Sequence, residues 1–468
     1  MSLTNFEQLK KLVDFEGMAG FKLKPLQEKS IDELAPHRRT ANFSEVGAGK
    51  TVVATALAAM SMAGLTVIIC PPILIVPWVK WLKRFTNKVV DYRGRDRKLL
   101  DIFSYDAVVM SHAVFRKDNK NIQTWNARNI FLAVDEAQWL KNSNSVLFRM
   151  VCTLANAHED NYLHLMTGTP TSKPNDAFSY IFLKTPKAYR SLSHFENLHV
   201  ADRDFMYKQP TAWRGLDIVN EHLYKQSVKY TKEEVHGYTT KPLFPDSEYE
   251  LDNKHQALYE RMVDEQLLLL PDGTKIDLTV SARLRHALQQ VVVNYDYYSG
   301  DPTVRAAIFD MVDQTIEEAG IEKPGNSKLI IWTYYKRTSA RMLEYLKSIG
   351  IYAVGAYSEV DSNKSFQIFD SDEKCRILVA QPSSAGAGLN PQAYCWEALF
   401  AEMFTTPMLM TQSVGRLDRV GQLHVPRMRL AVARNTVQVR LHQMLLSNDD
   451  TVSKVENKKA LREYLMGR

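Results

Sequence analysis

Metal-ligand spacing is what this sequence most clearly lacks. Its four cysteines, Cys70, Cys152, Cys375 and Cys395, lie far apart, with no CxxC pair, and no histidines stand at HxxxH spacing. That argues against a structural zinc and against a disulfide framework, and reads as buried thiols in a reducing compartment. Long apolar runs are scarce too. The longest, "GLTVIICPPILIVPW", is broken by three prolines and is too short to span a bilayer. The start "MSLTNFEQLKKLVDFEG" carries acidic residues and no long apolar core, so it does not read as a secretory signal. No membrane association is expected, and the compartment expected is the cytosol of a bacterial or viral host, or the nucleus of a eukaryote. An excess of charge of either sign is nearly missing as well. With 59 Lys and Arg against 53 Asp and Glu, the net charge is only +6, which permits nucleic-acid binding without demonstrating it. No low-complexity tract or short-period repeat stands out.

What is present is a chain of 468 residues, long enough for two or three domains. Short runs rich in Val, Ile and Leu read as buried parallel strands: 65–70, 106–111, 130–135 and 162–167, with a helical candidate at 51–63. Strand and helix in alternation predict a doubly wound α/β sheet. After about residue 175 the pattern turns helical and polar. Strands resume at 328–334, 352–357, 376–381, 397–402 and 428–433, as a second α/β unit of similar plan. The division expected is an N-terminal lobe over 1–175, a mainly helical connecting region over 176–325, a C-terminal lobe over 326–450 and a helical tail over 451–468.

The strongest local signal is "SEVGAGKT", Ser44 to Thr51. Gly47, Ala48 and Gly49 lead into a helical run, so backbone N–H groups can curl around phosphate oxygens while the helix N-terminus adds positive dipole. Lys50 would reach the terminal phosphates of ATP and the Thr51 hydroxyl would ligate Mg2+. Ser44 stands where the commonest form of this loop has its first glycine. An acidic partner is needed, and "FLAVDEAQWLKN" supplies Asp135 and Glu136 at the end of an apolar strand. Strand ends lie at the ligand-binding edge of a parallel sheet. Asp135 would hold the metal, and Glu136 would act as base or orient the attacking water. Near the other end, "QSVGRLDRVGQ" places Arg416 and Arg419 three positions apart, a spacing predicting one shared helix face and an anionic partner.

These motifs, in this order, resemble superfamily-two helicases and translocases, and among them the Swi/Snf-type ATPases. "DEAQWLKN" resembles that family's acidic box, with Gln138 in the usual His place. "HLMTGTPTSKPNDAF" is similar to its third motif, and "VIICPPILIVPWVKWLKRF" to its Cys-Pro-Pro segment before a tryptophan. "FKLKPLQEKSIDEL" is similar to its adenine-sensing glutamine motif, "SVKYTKEEV" to the segment after its first lobe, "SSAGAGLN" to its fifth motif and "QSVGRLDRVGQ" to its sixth. The match covers roughly residues 20 to 445. Asp418 departs from the family pattern between the two arginines, and no segment resembling an appended chromatin reader is seen.

The resemblance implies two RecA-like parallel-sheet lobes with a mainly helical insertion between them, hydrolysing ATP with Mg2+ in the cleft. It makes Gln27 the adenine contact, Gly388 a close approach to the nucleotide, Gln412 a positioner of water or sugar, and Arg416 and Arg419 the arginine fingers. Nucleic-acid contacts are implied at Pro71, Pro72, Ser111, Thr167, Thr169, Lys336, Ser383 and Ser384. The activity implied is sequence-independent translocation on double-stranded DNA. A strand-separating DNA or RNA helicase and a hydrolysis-deficient nucleic-acid-binding scaffold stay open, as does an accessory protein partner.

Overall fold

The computed structural model describes residues 14–442 apart from 128, 172, 204–209, 238–241, 246, 266, 274, 278–280, 302–303, 324, 326, 386–388, 405–406, 420 and 440–441. The chain falls into two compact units that divide at residue 238.

The first unit is built on β1 (Arg39–Asn42), β2 (Leu65–Cys70), β3 (Val89–Asp91), β4 (Ala107–Ser111), β5 (Ile130–Asp135) and β6 (Tyr162–Met166). A peripheral antiparallel pair, β7 (Val200–Arg203) and β8 (Pro210–Trp213), follows, and then β9 (Ser227–Val228). The main sheet runs β3-β4-β2-β5-β6-β1-β9, and every pairing in it is parallel. Side chains alternate across a strand, and the packing follows that period of two. In β2, Leu65, Val67 and Ile69 join one buried cluster while Ile68 and Cys70 join another. In β5, Ile130, Leu132 and Val134 face Phe131 and Ala133 across the sheet in the same way. Both faces are therefore covered, which is why these strands read as unbroken apolar runs.

The second unit carries β10 (Glu248–Tyr249), the antiparallel pair β11 (Leu267–Leu269) and β12 (Lys275–Asp277), and then β13 (Leu329–Trp332), β14 (Ala353–Ala356), β15 (Ile377–Ala380), β16 (Glu397–Phe400), β17 (Arg427–Leu430) and β18 (Val432–Ala433). Its main sheet, β14-β15-β13-β16-β17, is also entirely parallel. Leu329 and Ile331 pack to one side, and Ile330 and Trp332 to the other. The expected fold class, α/β with two parallel sheets of RecA type, is what the protein adopts. The stretch 176–325 consists of helices with short strands between them and contributes to both units. The strand expected over 428–433 is two strands, broken at Ala431 between β17 and β18.

Candidate functional site

In the first unit the carboxyl ends of the parallel strands gather the sequence-predicted residues on one edge. The chain leaves β1 at Asn42 into the Ser44–Thr51 loop, β2 into Pro71 and Pro72, β5 at Asp135 into Glu136, and β6 into Thr167; Ser111 closes β4. Open α/β sheets bind ligands at this edge.

Two glycines and their neighbours shape the loop. Gly47 and Gly49 adopt φ of 91° and 82°, a left-handed region that an L side chain resists. A Cβ on Gly49 would stand 2.1 Å from Gln27 Nε2. The helix Lys50–Ser61 starts at Gly49 with no side-chain cap, which leaves the positive end of its dipole at the loop. Lys50 Nζ donates to Ser44 O at 2.8 Å and Glu45 O at 3.0 Å, which holds the amine at the loop. Gln27 is buried in the helix Pro25–Leu34. Its Oε1 accepts from Lys24 N at 3.1 Å and its Nε2 lies 3.5 Å from Ala48 O.

The acidic pair is wired to its neighbours. Asp135 Oδ1 accepts from Glu136 N and Oδ2 from Trp78 Nε1, each at 2.9 Å. Burial, with Glu136 alongside, pushes the Asp135 carboxyl up to about 6, against the pull of the Trp78 N–H and the Lys50 charge. His112 Nε2 donates to Asp135 O at 3.0 Å, and burial holds that imidazole down at about 4, hence neutral near pH 7. Glu136 sits at φ 51°, a left-handed turn that costs a non-glycine residue roughly 1–2 kcal/mol. Gln138 Nε2 donates to Glu136 Oε2 at 2.7 Å, while Gln138 Oε1 accepts from Thr167 Oγ1 at 2.7 Å. Thr167 Oγ1 also accepts from Thr169 N at 3.1 Å. The acid box and the third motif are thus one hydrogen-bonded chain, and Gly168 packs against the loop, its Cβ position 3.4 Å from Val46 N.

Among the described residues no group of three or more His, Cys, Asp or Glu could hold a metal. Thr51 and Asp135 instead offer two hard oxygen donors, the protein share typical of a magnesium completed by substrate phosphates and water. With both Asp135 oxygens oriented by N–H donors, the donor set fits that ion.

The proposed nucleic-acid contacts of this unit differ in availability. Pro72 and, in part, Pro71 are accessible, as is Thr169 in part. Ser111 and Thr167 are buried, and the Ser111 hydroxyl accepts from Val114 N at 3.2 Å as a helix cap.

In the second unit, Lys336 opens the helix Lys336–Ser348 after β13 and pairs on the surface with Glu359. Ser383 is exposed and Ser384 partly so in the turn after β15. Gly388 lies outside the described residues. Gln412 and Arg416 stand on the helix Pro407–Leu417; Arg416 is buried, its guanidinium donating to Leu389 O at 3.4 Å. Arg419 is not on that helix, contrary to the shared face its spacing predicts. Gln422 ends the helix by donating its Nε2 to Leu417 O at 3.1 Å and Cys395 O at 3.0 Å, and Arg419 follows in the turn, bonded to Asn390. The glutamine closing the motif is therefore a helix stop.

Sequence reasoning missed Trp78, whose indole reaches Asp135, and His236, whose Nε2 donates to Gly47 O at 3.1 Å. The segment around His236 also pairs with the loop. Tyr230 N donates to Ser44 Oγ at 3.0 Å, and Lys232 N to Glu45 Oε2 at 3.1 Å. Only the family-like "SVKYTKEEV" stretch pointed there.

Comparison with known proteins returns the SNF2-related domain, matched over residues 43–293. An uncharacterized ATP-dependent helicase of Mycoplasma pneumoniae is 22% identical over 402 residues, covering 83% of this chain and 37% of that protein. The chain thus spans well under half the length of that relative. The uncharacterized ATP-dependent helicase YqhH of Bacillus subtilis is 23% identical over 443 residues, 88% of this chain and 75% of that one. The solved SWI2/SNF2 ATPase core of Sulfolobus solfataricus in complex with dsDNA aligns with 95% of this chain and 97% of its own at 18% identity and a TM-score of 0.42, too loose a superposition to carry residue roles.

Proposed function

This chain belongs to the SNF2-related domain family, and from that membership we propose that it is an ATP-hydrolysing helicase or translocase core that moves along double-stranded DNA without reading its sequence. One observation carries the reading. A single sheet edge combines an uncapped helix N-terminus behind two left-handed glycines, Lys50, and the Asp135–Glu136 pair. The helicase names of the Mycoplasma and Bacillus relatives support the same class.

Backbone N–H groups from Gly47 to Thr51 bind the phosphate oxygens of ATP, and Lys50 adds its charge to the terminal ones. Magnesium, held by Thr51 and Asp135, would neutralise charge on the β- and γ-oxygens. Glu136, steadied by Gln138, orients the attacking water or takes its proton. Gln27 contacts the adenine. Arg416 and Arg419 supply positive charge to the transferring phosphoryl, a contribution of roughly 10³–10⁵ in rate for such fingers, and Gln412 positions water or sugar.

On the polymer, Pro71, Pro72, Thr169, Lys336, Ser383 and Ser384 contact the backbone. Ser111 and Thr167, buried with their hydroxyls already engaged, would act by holding the sheet edge on which Pro71, Pro72 and Thr169 stand. Such groups position a duplex and carry no sequence information, which supports sequence-independent movement. Among the described residues no helix is long and apolar enough to cross a membrane.

The test is displacement of a third strand from a DNA triplex, run beside unwinding of a forked duplex. Displacement without unwinding is expected. Efficient fork opening replaces this reading with a strand-separating helicase, and absence of ATP hydrolysis with every polymer replaces it with a binding scaffold.

A further inference from the structure

The helix Ile75–Leu82 carries two indoles three positions apart; one reaches the proposed magnesium ligand Asp135 and the other reaches the helix that carries Thr51. Trp78 Nε1 donates to Asp135 Oδ2 at 2.9 Å. Trp81 Nε1 donates to Thr55 Oγ1 at 2.8 Å, and Thr55 Oγ1 donates in turn to Thr51 O at 2.9 Å. Residues at i and i+3 share one helix face, so a single short rod touches both the Asp135 carboxylate and the first turns of the Lys50–Ser61 helix, where Thr51 stands.

The rod has little freedom. Trp78 is 2% exposed in the core on its side of the sheet. Trp81 stacks on Phe21 at 5.9 Å, meets Phe85 edge-on at 5.4 Å and lies under the Arg84 guanidinium at 5.0 Å. At its start the rod is continuous with the 3-10 turn Pro72–Leu74, and Leu74 N donates to Pro71 O at 2.9 Å. Pro77, in the first helical turn, removes one more rotatable backbone dihedral at no hydrogen-bond cost. The accessible prolines and the two indoles are thus parts of one stiff element.

We infer that Trp78 is a positioning residue for the magnesium ligand Asp135, that Trp81 steadies the helix turn from which Thr51 projects, and that the two tie these parts to the Pro71–Pro72 turn. The inference rests on the ATP reading above. Both Asp135 oxygens already accept one N–H each, so their remaining lone pairs point in fixed directions. Removing the Trp78 donor frees Oδ2 to rotate away. Partners of this kind typically hold 10–100-fold of metal affinity.

The experiment uses the full chain and reads binding rather than turnover. ADP affinity is measured by calorimetry across a Mg2+ series, for the parent, Trp78→Phe and Trp81→Phe, with and without a duplex DNA oligomer. In Trp78→Phe the Mg2+ concentration for half-maximal enhancement is expected to rise ~10–100-fold, while affinity for metal-free ADP stays at the parent value. Trp81→Phe, acting through Thr55, shifts it in the same direction and less. Duplex DNA lowers the parent's Mg2+ requirement and leaves that of Trp78→Phe unmoved. A Trp78→Phe requirement equal to the parent's overturns the inference, and so does a DNA effect that survives the substitution. A parent chain that binds no ADP at any Mg2+ concentration sinks the ATP reading itself. If Trp78→Phe does not fold, the parent's ¹⁵N-indole signals decide. Adding Mg2+ to the ADP-bound chain must move the Trp78 N–H resonance, and a resonance that stays put overturns the inference.

Discussion

Replacing Glu402 by glutamine should abolish a pH dependence that the second unit carries in its core. Glu402 follows β16 and is 2% exposed. Its Oε2 accepts from Tyr334 N at 2.6 Å and Tyr335 N at 2.9 Å, and its Oε1 from Thr338 Oγ1 at 2.6 Å. Tyr335 is the N-cap of the helix that begins at Lys336, and it provides no side-chain cap of its own. Glu402 therefore caps that helix from the turn that follows β16, a favourable end for a negative charge. Burial outweighs these three donors and pushes the carboxyl from 4.5 up to about 7. The folded chain then holds a proton, between about pH 4.5 and 7, that the unfolded chain has released. Stability falls as pH rises through that window and levels off above it. A shift of that size corresponds to roughly 3 kcal/mol. In Glu402→Gln the amide oxygen accepts the same two N–H groups and nothing titrates. Denaturant unfolding of parent and variant between about pH 4 and 8.5 should find them nearly equally stable at the acid end, below the unfolded value of 4.5. At pH 8 the variant should lead by up to roughly 3 kcal/mol. Glu402→Ala, which leaves the three donors unmet, should destabilise at every pH by about 1–3 kcal/mol per donor. A parent–glutamine difference that is constant across the range refutes the reasoning.

Other perturbations separate the parts of the site. Gln138→Ala cuts the chain from Glu136 to Thr167; steady-state kinetics should show kcat down by ~10–100-fold with KM for ATP unchanged, the loss expected when a reacting group drifts by about an ångström. Gly49→Ala combines a φ of 82° with a Cβ placed 2.1 Å from Gln27 Nε2. Calorimetry should find nucleotide binding reduced at least tenfold, from strain of roughly 1–2 kcal/mol before any clash is counted. Lys336→Ala should weaken duplex binding equally for all sequences and reduce the slope of log K against log salt by about 1, as for one lost phosphate contact. Glu359→Gln, which removes the surface partner of Lys336, should move binding the other way.

The sequence announced β2, β4, β5, β6 and β13 to β16, and the clearest of these, β2, β5, β13 and β15, are rich in apolar residues buried on both faces. β1 was silent because it reads Arg-Thr-Ala-Asn. Two of its polar side chains are satisfied by partners that no local pattern shows: Thr40 bonds His164 Nδ1 at 2.8 Å, and Arg39 donates to Leu183 O at 3.0 Å. The phosphate loop and the acidic pair were legible because their chemistry is local, a glycine-bearing turn before a helix and two acids after a strand. Trp78 was not, since an apolar residue at helical spacing reads as core, and its partner lies 57 positions away. The end of the Arg416 helix was hidden for a related reason: Gln422 stops it through carbonyls at Leu417 and Cys395, the second 27 positions distant.

The measurement that bears most directly on the whole account is phosphate release from ATP by the full chain, with duplex DNA, single-stranded DNA and RNA compared side by side and Lys50→Ala as the blank. The account predicts slow release without polymer, strong stimulation by duplex DNA of any sequence, weaker stimulation by the other two, and none in the blank. Release that no polymer stimulates, or that RNA stimulates above duplex DNA, contradicts it.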